Sequence, residues 1–323
     1  MVSQRVFFQK IAIFFIGLAA LLMVSAASAA PLKAVVTVGM VADIVRAVGG
    51  DDVDVTTLMG SGVDPHSYRQ TRSDVSLLSR ADVIFASGLH LEAQLDALLH
   101  KLGTRKQVVM VADRLDKADL IEAEGFSGRY DPHVWMDPSL WADTINIVRD
   151  ALIKAAPEKE NDFIQNANSY EMIIRDLNSK VEATLKSVPA EKRVLITAHD
   201  AFGYFGRAFD VDVIGIQGLS TESEAGLQRI ETMVSLLVER NINAVFVESS
   251  VSKQNVKALI EGAQARGHHV SIGGTLFSDA MGKEGTFEGT YIGMIDHNAT
   301  TIARGLGGNA LAKGVTGQLS PHS

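Results

Sequence analysis

From Glu158 to Ser187 the chain contains no glycine and no proline, and this unbroken stretch constrains the fold more than any other. Its apolar residues Phe163, Ala167, Tyr170, Ile174, Leu177, Val181 and Leu185 recur at steps of three and four. That spacing keeps them on one face of an α-helix. Pro189 lacks the N–H that a further turn requires and ends the pattern. About thirty residues at roughly 1.5 Å each span ~45 Å, so the apolar stripe needs cover along a considerable length. A coiled coil with a second copy would supply it. The flanking sequence offers another cover, because both flanks alternate short β-branched runs with amphipathic stretches.

On the N-terminal side strands are expected at 34–38, 53–58, 83–86 and 108–111, with helices over 41–48, 73–79 and 91–102. A further helix starts at Pro138 and contains Trp141, Ile145 and Val148. Beyond the long helix, strands are expected at 194–197, 211–216, 244–247 and 269–272. Helices are expected over 224–239, 253–265 and 290–303. Strand, helix, strand at this spacing is the pattern of a parallel sheet with helices on its faces. The expected fold is therefore α/β: two lobes, each with a mostly parallel four-stranded sheet flanked by helices, joined by one long backbone helix. The boundaries are 30–156 for the first lobe, 157–189 for the helix and 190–310 for the second lobe, with 311–323 a glycine-containing, flexible tail.

Residues 1–29 stand apart from this pattern. Arg5 and Lys10 precede an apolar run from Ile11 to Val24, and Ala27-Ser28-Ala29 is a small-residue cleavage site. That is the layout of a cleaved signal peptide, and the run is short for a membrane span. The chain has no cysteine, so disulfides and thiolate metal ligands are excluded, as is the residue that carries a lipid in a bacterial lipoprotein. An exported, unlipidated protein of the periplasm is expected. Removal of residues 1–29 takes away two positive charges and moves the formal charge from −8 to −10. So acidic a chain has no electrostatic footprint for nucleic acid.

The tripeptide Asp-Pro-His occurs twice, as Asp64-Pro65-His66 and Asp131-Pro132-His133. Proline fixes its own φ and pushes its predecessor towards extended geometry, so each tripeptide is a stiff turn that aims an imidazole. A third histidine, His199, follows directly on the expected strand 194–197. Ligands of parallel sheets bind beyond the carboxyl ends of strands, which is where His66 and His199 fall and towards which His133 leads. A single histidine is more often structural than ligating, so it is the repetition that carries weight. Asp200, Glu248, Asp279 and Asp296 all lie near a strand end, and the pattern does not choose among them. Asp279 by itself is most simply a helix cap.

Four strings together resemble the zinc- and manganese-binding receptors of bacterial ABC importers, the TroA-like family. They are Gly62-Val63-Asp64-Pro65-His66, Asp131-Pro132-His133-Val134-Trp135, Ala198-His199-Asp200-Ala201-Phe202-Gly203-Tyr204-Phe205 and Gly273-Gly274-Thr275-Leu276-Phe277-Ser278-Asp279-Ala280. The likeness runs from about residue 35 to residue 302 and includes Gln217-Gly218-Leu219-Ser220-Thr221 and Val247-Glu248-Ser249-Ser250. The resemblance implies a metal site in the interlobe cleft with His66, His133, His199 and Asp279 as ligands. It implies one Zn2+ or Mn2+ per chain, carried as the transported ligand, with a membrane permease as partner and a monomeric receptor. Zinc-dedicated relatives often carry a histidine-rich loop before the second ligand, and 102–132 holds no histidine here. Manganese-dedicated relatives often have glutamate where this chain has His199.

The chemistry of the donors is compatible with that implication. Imidazole suits first-row ions, and a carboxylate offsets part of the ionic charge. Each ligating ring should hand its other N–H to an acceptor, for which Asp64, Asp131, Asp200 and Glu248 are candidates. Trp135 and Trp141 are expected as core beside the site. His90, His268 and His297 are expected to bond near sheet edges. Two rivals remain open on sequence. One is a secreted zinc hydrolase, although His-Glu-x-x-His is absent and a fourth protein ligand would fill the position catalysis keeps for water. The other is an adhesin-like surface protein.

Overall fold

In the computed structural model, which describes residues 30–123 and 128–320, the spaced apolar residues of the long helix form its buried face. Phe163, Ala167, Tyr170, Ile174, Leu177, Val181 and Leu185 are the buried residues of the helix Glu160–Leu185. Its exposed side carries the pairs Glu171–Arg175, Asp176–Lys180 and Glu182–Lys186, each four residues apart and therefore one turn apart. The expected signal segment lies outside the described residues. Among the described residues no helix is long and apolar enough to cross a membrane.

Before that helix, β1 (Leu32–Val36) lies between β2 (Val53–Thr57) and β3 (Val83–Ala86), with β4 (Gln107–Met110) next to β3. All three pairings are parallel. The connections run through α1 (Gly39–Gly49), α2 (Arg72–Arg80) and α3 (Asp96–Gly103). A parallel sheet covered on both faces calls for continuous apolar runs, and all of β3 is buried. The helix expected over 91–102 begins only at Asp96, and residues 91–95 form turns instead. Next comes α4 (Pro138–Ala155), with Pro138 in its first turn and Asp137 as N-cap, followed by the long helix α5 (Glu160–Leu185).

Beyond α5 the strands come as two parallel pairs, β5 (Val194–Thr197) with β6 (Asp212–Gly215) and β7 (Ala244–Glu248) with β8 (Ser271–Leu276). β5 lies beside β7. The expected four strands and their parallel sense are present, but their ladder is not continuous. At the carboxyl ends of the seam a side chain takes over, with the His199 N–H donating to Glu248 Oε1 at 2.9 Å. The intervening helices are α6 (Gly203–Phe209), which sequence periodicity did not reveal, α7 (Leu227–Glu239) and α8 (Gln254–Ala265). The final helix is α9 (Tyr291–Gly305). Glu224, expected to open α7, instead lies in the preceding loop and accepts hydrogen bonds from Gln217 and Asn255.

One hydrophobic core extends from the first sheet through α4, α5 and α9 to one face of the second group of strands, where Leu195 and Phe246 join it. Val194, Ile196, Val245 and Val247, on the opposite face of the same strands, form a smaller core with α7 and α8. The period of two along a strand makes this division. The chain from Leu32 onward is accordingly one compact unit.

In the segment 311–323, which the sequence reads as a flexible tail, the structure shows several attachments up to Ser320. Val315 N–H and Thr316 N–H donate to the buried Asp296 carboxylate at 2.7 and 2.9 Å, Ser320 N–H donates to Glu288, and Leu319 is buried. The attachments are two carboxylates, Asp296 on α9 and Glu288 just before it, which composition alone does not disclose.

Candidate metal centre

Each Asp-Pro-His tripeptide folds as expected into a turn closed by its own aspartate. Asp64 Oδ1 accepts the His66 N–H, and Asp131 Oδ1 accepts the His133 N–H, both at 2.9 Å. The first turn follows β2. The second is held from α6, where Tyr204 donates its hydroxyl to Asp131 O and receives the Ile121 N–H, both at 3.0 Å. Gly203 opens α6 at a point where a Cβ would lie 3.0 Å from Asp131 Oδ2, which accounts for a glycine there. His199 leaves β5 two residues after Thr197. Asp279 leaves β8 on a loop clamped by Asn298, which receives the Phe277 N–H at 2.9 Å and donates to Phe277 O at 2.7 Å. The Gly273-Gly274 pair is needed for that approach, since a Cβ on Gly273 would meet the Phe246 ring at 2.8 Å and one on Gly274 would meet Thr301 at 2.2 Å.

The four side chains converge. One ligand-capable atom from each of His66, His133, His199 and Asp279 lies within 4.8 Å of all the others, and all four residues are buried. His66 Nε2 and His133 Nε2 are 3.3 Å apart. Asp279 places Oδ1 3.3 Å from His133 Nε2 and Oδ2 3.2 Å from His199 Nε2, with His66 Nε2 at 4.0 Å. Among the described residues, His199 Nε2 and both Asp279 oxygens have no hydrogen-bond partner. Buried polar atoms left unpaired are costly, and several aimed at one point mark a place for an ion.

Two of the rings are held from behind. His133 Nδ1 is 2.7 Å from Asp131 Oδ1, and His199 Nδ1 is 2.5 Å from Glu248 Oε2. An Nδ1 proton committed to a carboxylate leaves Nε2 as the free donor atom for a metal. Asp64 supports its turn through the His66 N–H and the Ser67 hydroxyl and pairs with no ring nitrogen. Asp200, the fourth candidate for this role, lines the cleft and pairs with none of the three rings in a hydrogen bond.

Charge follows this architecture in the metal-free state. Burial lowers His66, offset in part by Asp279, and holds it at about 4. Burial works the same way on His133, but the Asp131 and Asp279 carboxylates overcome it and raise that ring to about 9. His199, buried against Glu248 and Asp279, is raised well above the ordinary imidazole value by the same competition. Asp279 is pulled well below the carboxylate range, since the three imidazoles outweigh its burial. The pocket is built to keep its carboxylate ionised.

Trp135 and Trp141 are fully buried as expected. Trp135 additionally donates Nε1–H to Ser278 O at 3.0 Å and stands edge-on to His133, joining the loops that carry His133 and Asp279. Of the remaining histidines, His268 and His297 bond to the backbone oxygens of Ile242 and Thr275, and His90 pairs with Asp96 on the surface. Of the four clustered residues only His66 lines the adjoining cleft, a cavity of about 940 Å³ that also borders Asp200, Gln217 and Glu224.

Residues 34–305 match the family described as ZnuA, the periplasmic component A of the zinc-uptake complex. The chain is 44% identical over 275 residues to the manganese-binding lipoprotein MntA of Bacillus subtilis (strain 168), covering 85% of this chain and 90% of that protein. It is also 44% identical over 282 residues to the zinc-binding protein TroA of Treponema pallidum (strain Nichols), covering 87% and 91%. The solved structure of the periplasmic zinc-binding protein TroA from Treponema pallidum superimposes with a TM-score of 0.83 at 43% identity, over 85% of this chain and 99% of that one. These likenesses favour the metal-receptor reading over the hydrolase and adhesin readings.

Proposed function

The chain belongs to the ZnuA family of metal-uptake receptors, and from that premise we propose that it captures zinc or manganese outside the cytoplasm and delivers the ion to the permease of an ABC importer. The observation that carries this reading is the convergence of three imidazoles on a buried carboxylate whose two oxygens have no hydrogen-bond partner. His66, His133, His199 and Asp279 are the proposed ligands of a single ion. Three nitrogens and one carboxylate hold a divalent first-row ion without a sulfur donor. Four protein donors suit storage and release rather than catalysis, which keeps a coordination position for water. The relatives' names divide between manganese and zinc, and the donor set leans towards zinc in direct competition, since affinities rise along the first row above manganese.

Export by a signal peptide at 1–29, a periplasmic location and a monomeric state belong to the same proposal. The absence of cysteine supports a receptor without a lipid anchor. The lobes 30–156 and 190–310 on either side of 157–189 would shift little on release, because one hydrophobic core joins them.

Elemental analysis of natively purified protein, with calorimetric competition between zinc and manganese, tests the reading. Binding of one ion is expected, tighter for zinc, with sedimentation at the mass of one chain. His199→Ala should weaken both metals, and His199→Glu should narrow the gap between them by adding a charged oxygen in place of nitrogen. Equal affinity of wild type and His199→Ala would remove His199 from the site.

A further inference from the structure

His66 differs from the other two histidines in how it is held. His133 and His199 each have a carboxylate on Nδ1, whereas the carboxylate of the His66 turn reaches only its backbone N–H. The second oxygen of Asp64 points elsewhere. Asp64 Oδ2 accepts the Ser67 hydroxyl at 2.8 Å and, from 157 positions further along the chain, the Thr221 hydroxyl at 2.6 Å. Thr221 lies in the 217–226 loop, several residues of which line the mouth of the cleft beside His66. The same loop also reaches the first half of the chain through Glu222, which accepts from Gln94 at 2.9 Å without touching the His66 turn. On its other side the His66 loop meets the Asp279 loop, where Ser61 donates to Met281 O at 3.1 Å.

We infer that Thr221 is a positioning residue for metal retention: by donating across the cleft to Asp64 it holds the turn that aims His66, and so sets the rate at which the ion leaves. This rests on the proposed function and adds to it a residue that touches neither the ion nor any ligand. A ligand fixed through its backbone alone depends on the placement of its turn. Asp64 is that turn's only carboxylate, and one of its oxygens is shared with the opposite side of the cleft. His66 also borders the cleft, so loosening its turn opens the shell on the side where solvent and ion exchange.

The test is zinc dissociation from the full-length protein, followed by stopped-flow mixing with a chromogenic chelator, with association measured separately. Thr221→Val keeps the shape and removes the donor. It should raise koff roughly tenfold, the scale expected for losing one hydrogen bond to a carboxylate. The association rate should change by less than about twofold, as is usual when an interaction acts after encounter. Thr221→Ser should restore the wild-type koff. Glu222→Ala removes the acceptor of the other link of the same loop and should leave koff unchanged. In a His66→Ala background, Thr221→Val should have no further effect.

An unchanged koff in Thr221→Val would overturn the inference. So would an equal rise in Glu222→Ala, which would assign the effect to the loop as a whole, or an equal rise in the His66→Ala background. Should Thr221→Val prove unstable in melting experiments, Thr221→Ala read against Thr221→Ser gives the same discrimination. Failure of the wild type to bind zinc would sink the proposed function along with the inference, whereas wild-type binding with an unaltered koff sinks the inference alone.

Discussion

The two Asp-Pro-His turns have identical sequence and unlike surroundings. In both, Asp Oδ1 takes the histidine N–H at 2.9 Å, so the same bond closes each turn. In the second turn the same oxygen also takes the ring Nδ1 at 2.7 Å, and Asp131 and His133 are both buried, at 2% and 0% exposure. In the first, the aspartate turns its other oxygen outward to Ser67 and Thr221, and the ring borders the cleft. The consequence is a ring held at about 4 in one turn and raised to about 9 in the other. One tripeptide supplies a neutral ring facing the cleft and a proton-bearing ring deep in the core. Local sequence sets the turn, and the packing around it sets the charge of the ring.

The largest test of this contrast is removal of each ring. His133→Ala and His66→Ala should each weaken zinc binding by more than the roughly 10–100-fold that loss of a supporting partner costs. Only His133→Ala should also destabilise the metal-free protein markedly. It leaves Asp131 buried without its partner, a change that costs about 3–5 kcal/mol in comparable buried pairs. Chelator competition and thermal melting of the apo forms separate the two effects. Equal melting temperatures would mean that the turns are equivalent.

A smaller difference is expected when the aspartates are changed. Asp131→Asn should reduce zinc affinity by about 10–100-fold, because it removes the negative charge behind the His133 ring. Asp64→Asn keeps an acceptor for the backbone N–H but loses the oxygen that accepts from Thr221, and should cost about tenfold, the low end of that range. A larger loss for Asp64→Asn would reverse the ranking.

Proton release sharpens the comparison further. A ligating imidazole must be neutral, so a ring with a pKa of about 9 gives up a proton when metal binds at pH 7, and affinity falls as pH is lowered from 9 towards 6. His66, at about 4, is already neutral there and adds to the slope only near that pH. Calorimetry in buffers of different ionisation heat should show Asp131→Asn releasing close to one proton fewer per zinc, and His66→Ala releasing as many as wild type. An affinity that stays flat between pH 9 and 6 would contradict the arrangement.

The smallest effect concerns the stability of the metal-free protein. The raised pKa of His133 contributes stability that is present below about 6.5 and lost as pH rises through about 9. The lowered pKa of His66 contributes stability that is present above about 6.5 and lost as pH falls through about 4. Melting profiles should therefore decline at both ends, with His66→Ala softening only the acid side.

Periodicity and turn chemistry made much of this molecule legible. The buried face of α5 is the set of residues that its three-and-four spacing marks, and both proline turns close as their composition requires. Strand and helix positions follow from local patterns that act over a few residues. The three histidines were visible as repeated or strand-end residues, but Asp279 was one acid among four at strand ends, and only family resemblance selected it. α6 was missed because its seven residues, Gly203–Phe209, are too few to show a helical period.

What tertiary structure alone decided are the long-range pairings: Tyr204 with Asp131, Trp135 with Ser278, Thr221 with Asp64, and the Asp296 anchor of the terminal segment. Each joins residues 19 or more positions apart, as at Asp296 with Val315, where no local periodicity links the partners. The sequence determined which turns aim a histidine. The fold decided what stands behind each ring, because burial and the nearness of a carboxylate are properties of packed surfaces rather than of neighbouring residues in the chain.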